Sequence, residues 1–257
     1  MNKKLQRITL TIASLLFLQN SWAQTETSSP KVSKKTIEIS LVGGVHIGGT
    51  MPFNLPNTIR SVDAYAPKTP LFLGVKFGKN IHPNWQINTG LIIEGKGFKT
   101  EASVKGYETE FNASQDEKQG VHGFYYGSIT TQMNNVYATI PLEIQYNCNK
   151  WNVYGGLSLS GTLAKNFEGK AIEGYLRAED PTGERIGLSN VAYNFDHAVR
   201  SINVGGQLGI KYQASATIGV LAQGNIGITN TLKPNFESVT FPMHHAYLSL
   251  GISYKIK

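Results

Sequence analysis

The sequence predicts an all-β fold, an eight-stranded antiparallel transmembrane β-barrel with short periplasmic turns and long extracellular loops. Three observations predict it. Apolar and polar residues alternate with period two through eight segments. Most of these segments run past about 10 residues, the length a tilted strand needs to cross a bilayer, whereas ordinary globular strands peak near 5 to 6. The connections alternate strictly between tight turns and long loops, the organisation of a membrane barrel with both termini on its short-turn side.

Composition narrows the alternatives. The 257 residues carry 24 Lys plus Arg against 17 Asp plus Glu, a net charge of +7, with one Cys and 16% charged residues. A single cysteine excludes a disulfide framework and a Cys-based zinc site. Beyond the N-terminus no apolar run approaches the roughly 18 to 20 residues of a transmembrane helix. The mean hydropathy of −0.19 arises from averaging apolar outward positions with polar inward ones and long polar loops.

The first segment reads as a signal peptide, residues 1–23. Lys3, Lys4 and Arg7 precede an apolar stretch from Ile8 to Leu18, and Ser21-Trp22-Ala23 supplies an A-x-A-like cleavage site. An apolar stretch of about 11 residues suits a signal peptide better than a membrane anchor. Residues 24–35, rich in Thr, Ser and Lys, read as a periplasmic linker, and residues 36–257 as the barrel.

Strands are expected at Thr36–Gly49, Leu71–Lys79, Trp85–Lys99, Asn135–Asn147, Trp151–Phe167, Val199–Tyr212, Thr217–Asn230 and His245–Ile256. In the third, Trp85, Ile87, Thr89, Leu91 and Ile93 share one face, opposite Gln86, Asn88, Gly90 and Glu94. In the fourth, Val136, Ala138, Ile140, Leu142, Ile144 and Tyr146 oppose Thr139, Glu143 and Gln145. Pro141 removes a ladder donor there and marks a local irregularity. Tight turns fall at Asn80–Asn84, Cys148–Lys150 and Gln213–Ala216. The long loops are Thr50–Pro70, Thr100–Asn134, Glu168–Ala198 and Thr231–His244.

A soluble ligand-binding barrel would alternate in the same way, and two features weigh against it. Phe77, Trp85, Tyr146, Trp151, Tyr212 and Tyr254 lie on the apolar face at the short-turn ends of their strands, as a periplasmic aromatic girdle requires. Glu38, Lys76, Glu94, Glu143, Lys211 and Lys255 have the opposite parity and point into the interior. A narrow barrel filled by its own side chains can hold such charges if they pair, so at least one lumenal Lys–Glu contact is expected.

The basic excess does not form a nucleic-acid stripe. Three basic residues leave with the signal, and Lys31, Lys34, Lys35, Lys79 and Lys150 gather with the terminal lysines at the short-turn rim, where phospholipid headgroups are the natural counter-charge.

No catalytic motif stands out. Asp196-His197 with Ser201 is a weak hydrolase pattern, since neighbours in sequence do not make a triad. His244-His245 with His197 and His122 would bind a metal only if brought together, and solvated loop histidines are the expectation. Cys148 is expected as an incidental turn thiol. Tyr107, Phe111, Phe124, Tyr125, Tyr126 and Tyr175 in the second and third long loops are the first candidates for a recognition surface, because binding residues concentrate on loops carried by a rigid scaffold.

The run from Thr89 to Lys99, the run from Val136 to Tyr146, Tyr154-Gly155-Gly156-Leu157 and the run from Asn203 to Gly209 together resemble the PorT-type outer-membrane β-barrel family over residues 36–257. The resemblance implies an integral outer-membrane barrel of Gram-negative bacteria, with protein secretion as the role of some members, and it offers no catalytic residues. The final Tyr254-Lys255-Ile256-Lys257 departs from the terminal aromatic of many such barrels.

The functional expectation is a non-enzymatic anchor, adhesion or secretion-accessory barrel in the cell outer membrane. It would act through its outer loops or periplasmic rim, as a monomer surrounded by outer-membrane lipid, with a periplasmic or secretion-system protein as partner. No nucleic acid, cofactor or metal is expected. The alternative is an outer-membrane enzyme acting on lipid A or phospholipid, which requires His197 or His245 to reach both a Ser and a carboxylate. A diffusion pore is disfavoured because eight strands leave room only for packed side chains.

Overall fold

The computed structural model describes residues 37–52, 56–68, 71–112, 120–236, 239 and 241–256. The signal peptide and linker expected at residues 1–35 lie outside them. Eleven strands form: β1 (Ile37–Pro52), β2 (Ile59–Lys68), β3 (Leu71–His82), β4 (Trp85–Asn112), β5 (Gly120–Cys148), β6 (Trp151–Ala164), β7 (Phe167–Ala178), β8 (Arg185–Asn194), β9 (Ile202–Gln213), β10 (Ile218–Gly227) and β11 (Met243–Lys255).

Eight of them close a ring. Following the antiparallel pairings, β1 joins β3, then β4, β5, β6, β9, β10 and β11, and β11 returns to β1. Closure pairs each strand of the wall on both sides and leaves no free edge, the condition for a sheet that crosses lipid. Within the membrane band the ladder between β4 and β5 lapses between the pairs Thr89↔Leu142 and Ile92↔Thr139, beside Pro141, whose nitrogen cannot donate.

The ring is inside out. Leu91, Ile93, Ile140, Leu142, Leu157, Leu208 and Leu250 are exposed, whereas Gln86, Asn88, Glu94, Thr139, Glu143, Gln145, Gln207 and Ser249 are buried. On β5 the outward apolar positions run from Val136 to Tyr146, about 11 residues, the span of a tilted strand through a bilayer core.

Above that band the structure corrects the sequence reading. Three of the four segments expected to be loops carry strands. β4 and β5 do not stop at Lys99 or start at Asn135; they run 28 and 29 residues, roughly twice the length of a membrane crossing. Their outer halves pair with each other, β2 adds to β4, and β7 and β8 add to β5. The result is a five-stranded outer sheet, β2-β4-β5-β7-β8, rising from the barrel wall. The sixth expected strand also starts later than Val199: that residue is fully buried and bridges Leu232 beneath the last long connection. Phe167 opens β7 rather than ending β6.

These segments escape a search for apolar outward faces because the chemistry of the two faces exchanges at the top of the band. Along β4 even-numbered positions point inward as far as Val104, but Gln86, Asn88, Glu94 and Lys96 give way to Phe98, Ala102 and Val104. The outward positions change from Ile87, Leu91 and Ile93 to Lys99, Glu101 and Ser103. On β5 the inward set likewise passes from Glu143, Thr139 and Asn135 to Met133 and Tyr125. The two exchanges are in register, since Lys96 faces Asn135 and Phe98 faces Met133. They mark one plane around the barrel mouth. Higher up, Gly106 at φ +67° forms a bulge between Lys105 and Tyr107, a left-handed position suited to glycine. The extra residue turns Tyr107 to the inner face.

Candidate functional site at the outer mouth

The outer sheet curls around its own apolar core. Val104, Tyr125, Ala171 and Leu176 are buried, with Ile59, Tyr107, Ile129, Leu188, Val191 and Tyr193 packed against them. A second cluster of Phe98, Met133, Phe167, Val199, Leu232 and Met243 plugs the barrel mouth, backed by Phe195, Phe236 and Phe241. Between the two clusters lies a cavity of about 410 Å³. Its walls come from the end of β1 (Thr50, Met51, Pro52), β2 (Ile59, Val62, Tyr65), β4 (Phe98, Thr100, Ala102, Tyr107, Thr109), β5 (Tyr125, Ile129, Thr131) and β8 with the following turn (Tyr193, Phe195). Phe167, Val239, Phe241 and Met243 complete it.

Several wall hydroxyls have protein partners. The Tyr65 hydroxyl donates to the Gly48 carbonyl at 3.2 Å, and Thr131 Oγ1 and the Tyr193 hydroxyl lie 2.7 Å apart. Burial pushes the Tyr193 phenol up to about 12, against the lowering effect of the Thr131 hydrogen bond, and burial also raises Tyr107. Both remain protonated in neutral water.

The opposite face of the sheet is polar and aromatic. The Tyr126 and Tyr175 rings stack at 5.0 Å, with the Arg177 and Arg185 guanidiniums 5.8 and 4.7 Å from the Tyr175 ring centre. Ser61 and Ser103 donate to the Asp63 carboxylate at 2.7 and 2.8 Å, tying β2 to β4. Among the sequence candidates, Tyr107 therefore faces the cavity and Tyr126 and Tyr175 face solvent. The Tyr125 ring is buried, its hydroxyl donating to the Ser128 and Glu173 carbonyls. Phe124 is half-buried. The side chains of Phe111 and His122 lie outside the described residues.

Below the mouth, the lumen holds two charge clusters. In the upper one, Glu94 accepts from Lys96 at 2.8 Å, His46 Nε2 at 2.8 Å and the Thr139 hydroxyl. Because the carboxylate only accepts, Nε2 donates to it; His46 Nδ1 lies 2.7 Å from the Ser249 hydroxyl, which accepts from Asn225 at 2.7 Å. In the lower cluster, Lys76 Nζ lies 2.6 Å from Glu143, which also accepts from Gln207 at 2.7 Å. Lys211 lines the small cavity beside Glu38, Lys76 and Glu143. Lys255 and Glu38 meet at 2.7 Å, half-exposed at the short-turn rim.

Ser249, His46 and Glu94 stand in the spatial order of a nucleophilic relay. The adjoining cavity measures about 40 Å³ and the lower one about 30 Å³, space for a few waters and not for an acyl group. The histidines singled out from sequence are placed differently. His245 is buried, with Thr50 Oγ1 at 2.8 Å and the Tyr137 hydroxyl at 3.2 Å, so it is not a solvated loop residue. The His197 ring packs edge-on against Phe195 and Phe236, Asp196 accepts from the Phe167 amide, and Lys165 donates to Ser201 at 3.2 Å. No hydrogen bond unites Asp196, His197 and Ser201. Among the described residues no group of three His, Cys, Asp or Glu side chains can hold a metal. Cys148 is exposed and free at the end of β5, one residue before its turn.

Sequence reasoning missed His46 and Lys96, and it named His245 but expected it in a solvated loop. Each lay on an inward face whose parity was already assigned, and following Glu38 up β1 or Glu94 up β4 by even steps reaches His46 and Lys96.

The girdle candidates sit on the outer wall. Trp85 and Tyr146 pair across β4 and β5 with rings 5.0 Å apart, and Trp151 and Tyr212 across β6 and β9 at 4.8 Å. Tyr254 is exposed opposite Ile218. Phe77 is exposed but stands higher, opposite Thr89, because β3 continues to His82.

A family model described as outer membrane protein beta-barrel domain matches residues 22–233. No curated protein matches the chain. Among solved structures the chain is similar to Ail, the attachment invasion locus protein of Yersinia pestis, in complex with the heparin analogue sucrose octasulfate. Identity is 11% over 86% of this chain and 97% of that one, with a TM-score of 0.38. It is also similar to Neisserial surface protein A, at 9% identity over the same shares and a TM-score of 0.34. OprG from Pseudomonas aeruginosa gives 11% identity, the same shares and a TM-score of 0.34.

Proposed function

The chain belongs to the outer membrane protein beta-barrel domain family, and from that premise we propose that it is a non-enzymatic, monomeric barrel whose outer sheet is its working surface. The barrel anchors the chain in the cell outer membrane; the sheet presents an adhesion or recognition face to the outside. The observation that carries this reading is the continuation of β4 and β5 beyond the apolar band as a paired, five-stranded platform. A strand costs less entropy to hold in a binding geometry than a free loop does. Tyr126, Tyr175, Arg177 and Arg185 give that platform flat rings and fixed cations, residue types that dominate recognition surfaces.

The small lumenal cavities support the absence of catalysis and of a pore. The strand motifs at Thr89–Lys99 and Val136–Tyr146 support a PorT-type member, and with it a second reading in which the short-turn rim, with exposed Lys79 and Lys150, meets a periplasmic secretion component.

A pull-down from gently solubilised outer membranes, combined with capture of intact cells on immobilised matrix proteins and glycans, tests this. Tyr175→Ala with Arg185→Ala is expected to lower surface capture at least tenfold, and Lys150→Ala to leave it unchanged. Loss of a periplasmic partner in Lys150→Ala, with surface capture intact in the sheet variant, would shift the function to the inner rim.

A further inference from the structure

We infer that the cavity at the outer mouth is a binding site for the hydrocarbon chain of an amphiphile, held with its polar head toward solvent. The volume is the first ground. Interiors are packed with few voids larger than a water, and at about 410 Å³ this one is roughly ten times the polar lumenal cavity of about 40 Å³ beneath it. It falls in the range of pockets that enclose small ligands, about 300–1,000 Å³. The same chain fills the barrel below with interlocking polar side chains, so the opening is not a failure of packing general to the fold.

The chemistry of the wall is the second ground. The described lining contains no Asp, Glu, Lys, Arg or His. The Tyr65, Thr131 and Tyr193 hydroxyls are engaged with protein atoms. What remains for a guest is mainly ring face and aliphatic surface, such as Phe98, Ile129 and Phe241, with the Thr100 and Thr109 hydroxyls among it. A charged or strongly hydrated group would lose its water there without replacement; an alkyl chain loses nothing and gains burial.

Position is the third ground. Phe98 and Met133, at the floor of the mouth, stand directly above Lys96 and Asn135, where the wall changes from lipid-facing to water-facing. The cavity therefore begins at the level where lipid headgroups end and water begins, within reach of a chain that leaves the outer leaflet. A free fatty acid and an acyl chain of a membrane lipid share this chemistry.

The test uses the full-length barrel in phospholipid nanodiscs, titrated with a fluorescent polyene fatty acid. Wild type is expected to bind saturably. Ala102→Trp, which fills the cavity from a small wall residue, is expected to weaken binding at least tenfold. Lys105→Trp, exposed on the opposite face of the same strand, is expected to bind like wild type. Heat-modifiable gel mobility reports folding; if Ala102→Trp fails to fold, Ile129→Phe takes its place with the same expectation. Displacement by unlabelled fatty acid alone identifies the free acid as the guest, and displacement also by a lysophospholipid identifies a lipid chain. Unchanged binding in the filled variants, or equal loss in Lys105→Trp, overturns the assignment. Because the readout is chain binding, its failure would leave the outer-face recognition reading standing.

Discussion

The barrel and its outer sheet are built from the same strands under opposite rules. In the membrane band, β4 and β5 bury Gln86, Glu94, Thr139 and Glu143 and expose Leu91, Ile93, Leu142 and Ile144; in the outer sheet they bury Phe98, Ala102, Val104 and Met133. Side-chain parity does not change across the boundary. What changes is the solvent outside the wall, and each side chain that faces outward matches it. In lipid the interior must supply the polar partners, and the two Glu–Lys contacts and the amide network do so. In water the interior can again be apolar. Strand structure is thus independent of which face is greasy, and the position of the exchange is a ruler for the membrane surface.

Three experiments test that contrast, from the largest expected effect to the smallest. Lys76→Met strands the Glu143 carboxylate, which is buried and, among the described residues, keeps one hydrogen-bond donor, Gln207. Urea unfolding in lipid vesicles should show a loss of about 3–5 kcal/mol, with most of it recovered in Lys76→Met/Glu143→Met. Equal losses in the single and double variants would mean that the lumen does not depend on the pairing.

Exchanging the outward chemistries comes next. Leu142→Arg places charge in the lipid-facing band and should cost about 2–4 kcal/mol. Lys105→Leu, at a water-facing position of the outer sheet, should stay within about 0.5 kcal/mol. Comparable costs at the two sites would erase the boundary.

The smallest effect belongs to the β7–β8 turn. Thr182 donates through its amide and hydroxyl to the Asp180 carboxylate at 2.6 and 2.7 Å, which holds that carboxyl below its ordinary 3.8. A lowered carboxyl contributes stability above its ordinary value that is lost as pH falls further. Amide exchange at Thr182, corrected for intrinsic rates, should therefore be less protected at pH 3 than at pH 6. Asp180→Asn should remove the difference, and the barrel amides should not respond.

The barrel was legible in the sequence because lipid forces a strong signal: every outward residue from Val136 to Tyr146 at even positions is apolar, and each inward charge has the parity opposite to the apolar residues of its own strand. The outer sheet was not, for two reasons. Its outward residues, such as Lys99, Glu101 and Ser103, look like loop composition, and its strands are defined by pairing, which sequence alternation cannot assign. β2 even carries bulges between Ile59 and Ser61 and between Val62 and Ala64, which break the period. The cavity was least legible, since it gathers residues from β1, β2, β4, β5 and the turn after β8. The lumenal histidine was within reach of parity alone, whereas its partner Ser249 needed the β1–β11 closure.

That closure also sets the order in which the molecule can be made. His46 and Ser249 are 203 positions apart, and Glu38 and Lys255 are 217 apart. Contacts between such distant segments form late, because the intervening chain must be confined first. Until β11 docks, Glu38, His46 and Thr50 on β1 have no partners from that strand, and hydrocarbon offers none in its place. The polar groups that stabilise the finished barrel are the same ones that make a partly assembled one costly, so insertion is driven toward all eight strands or none.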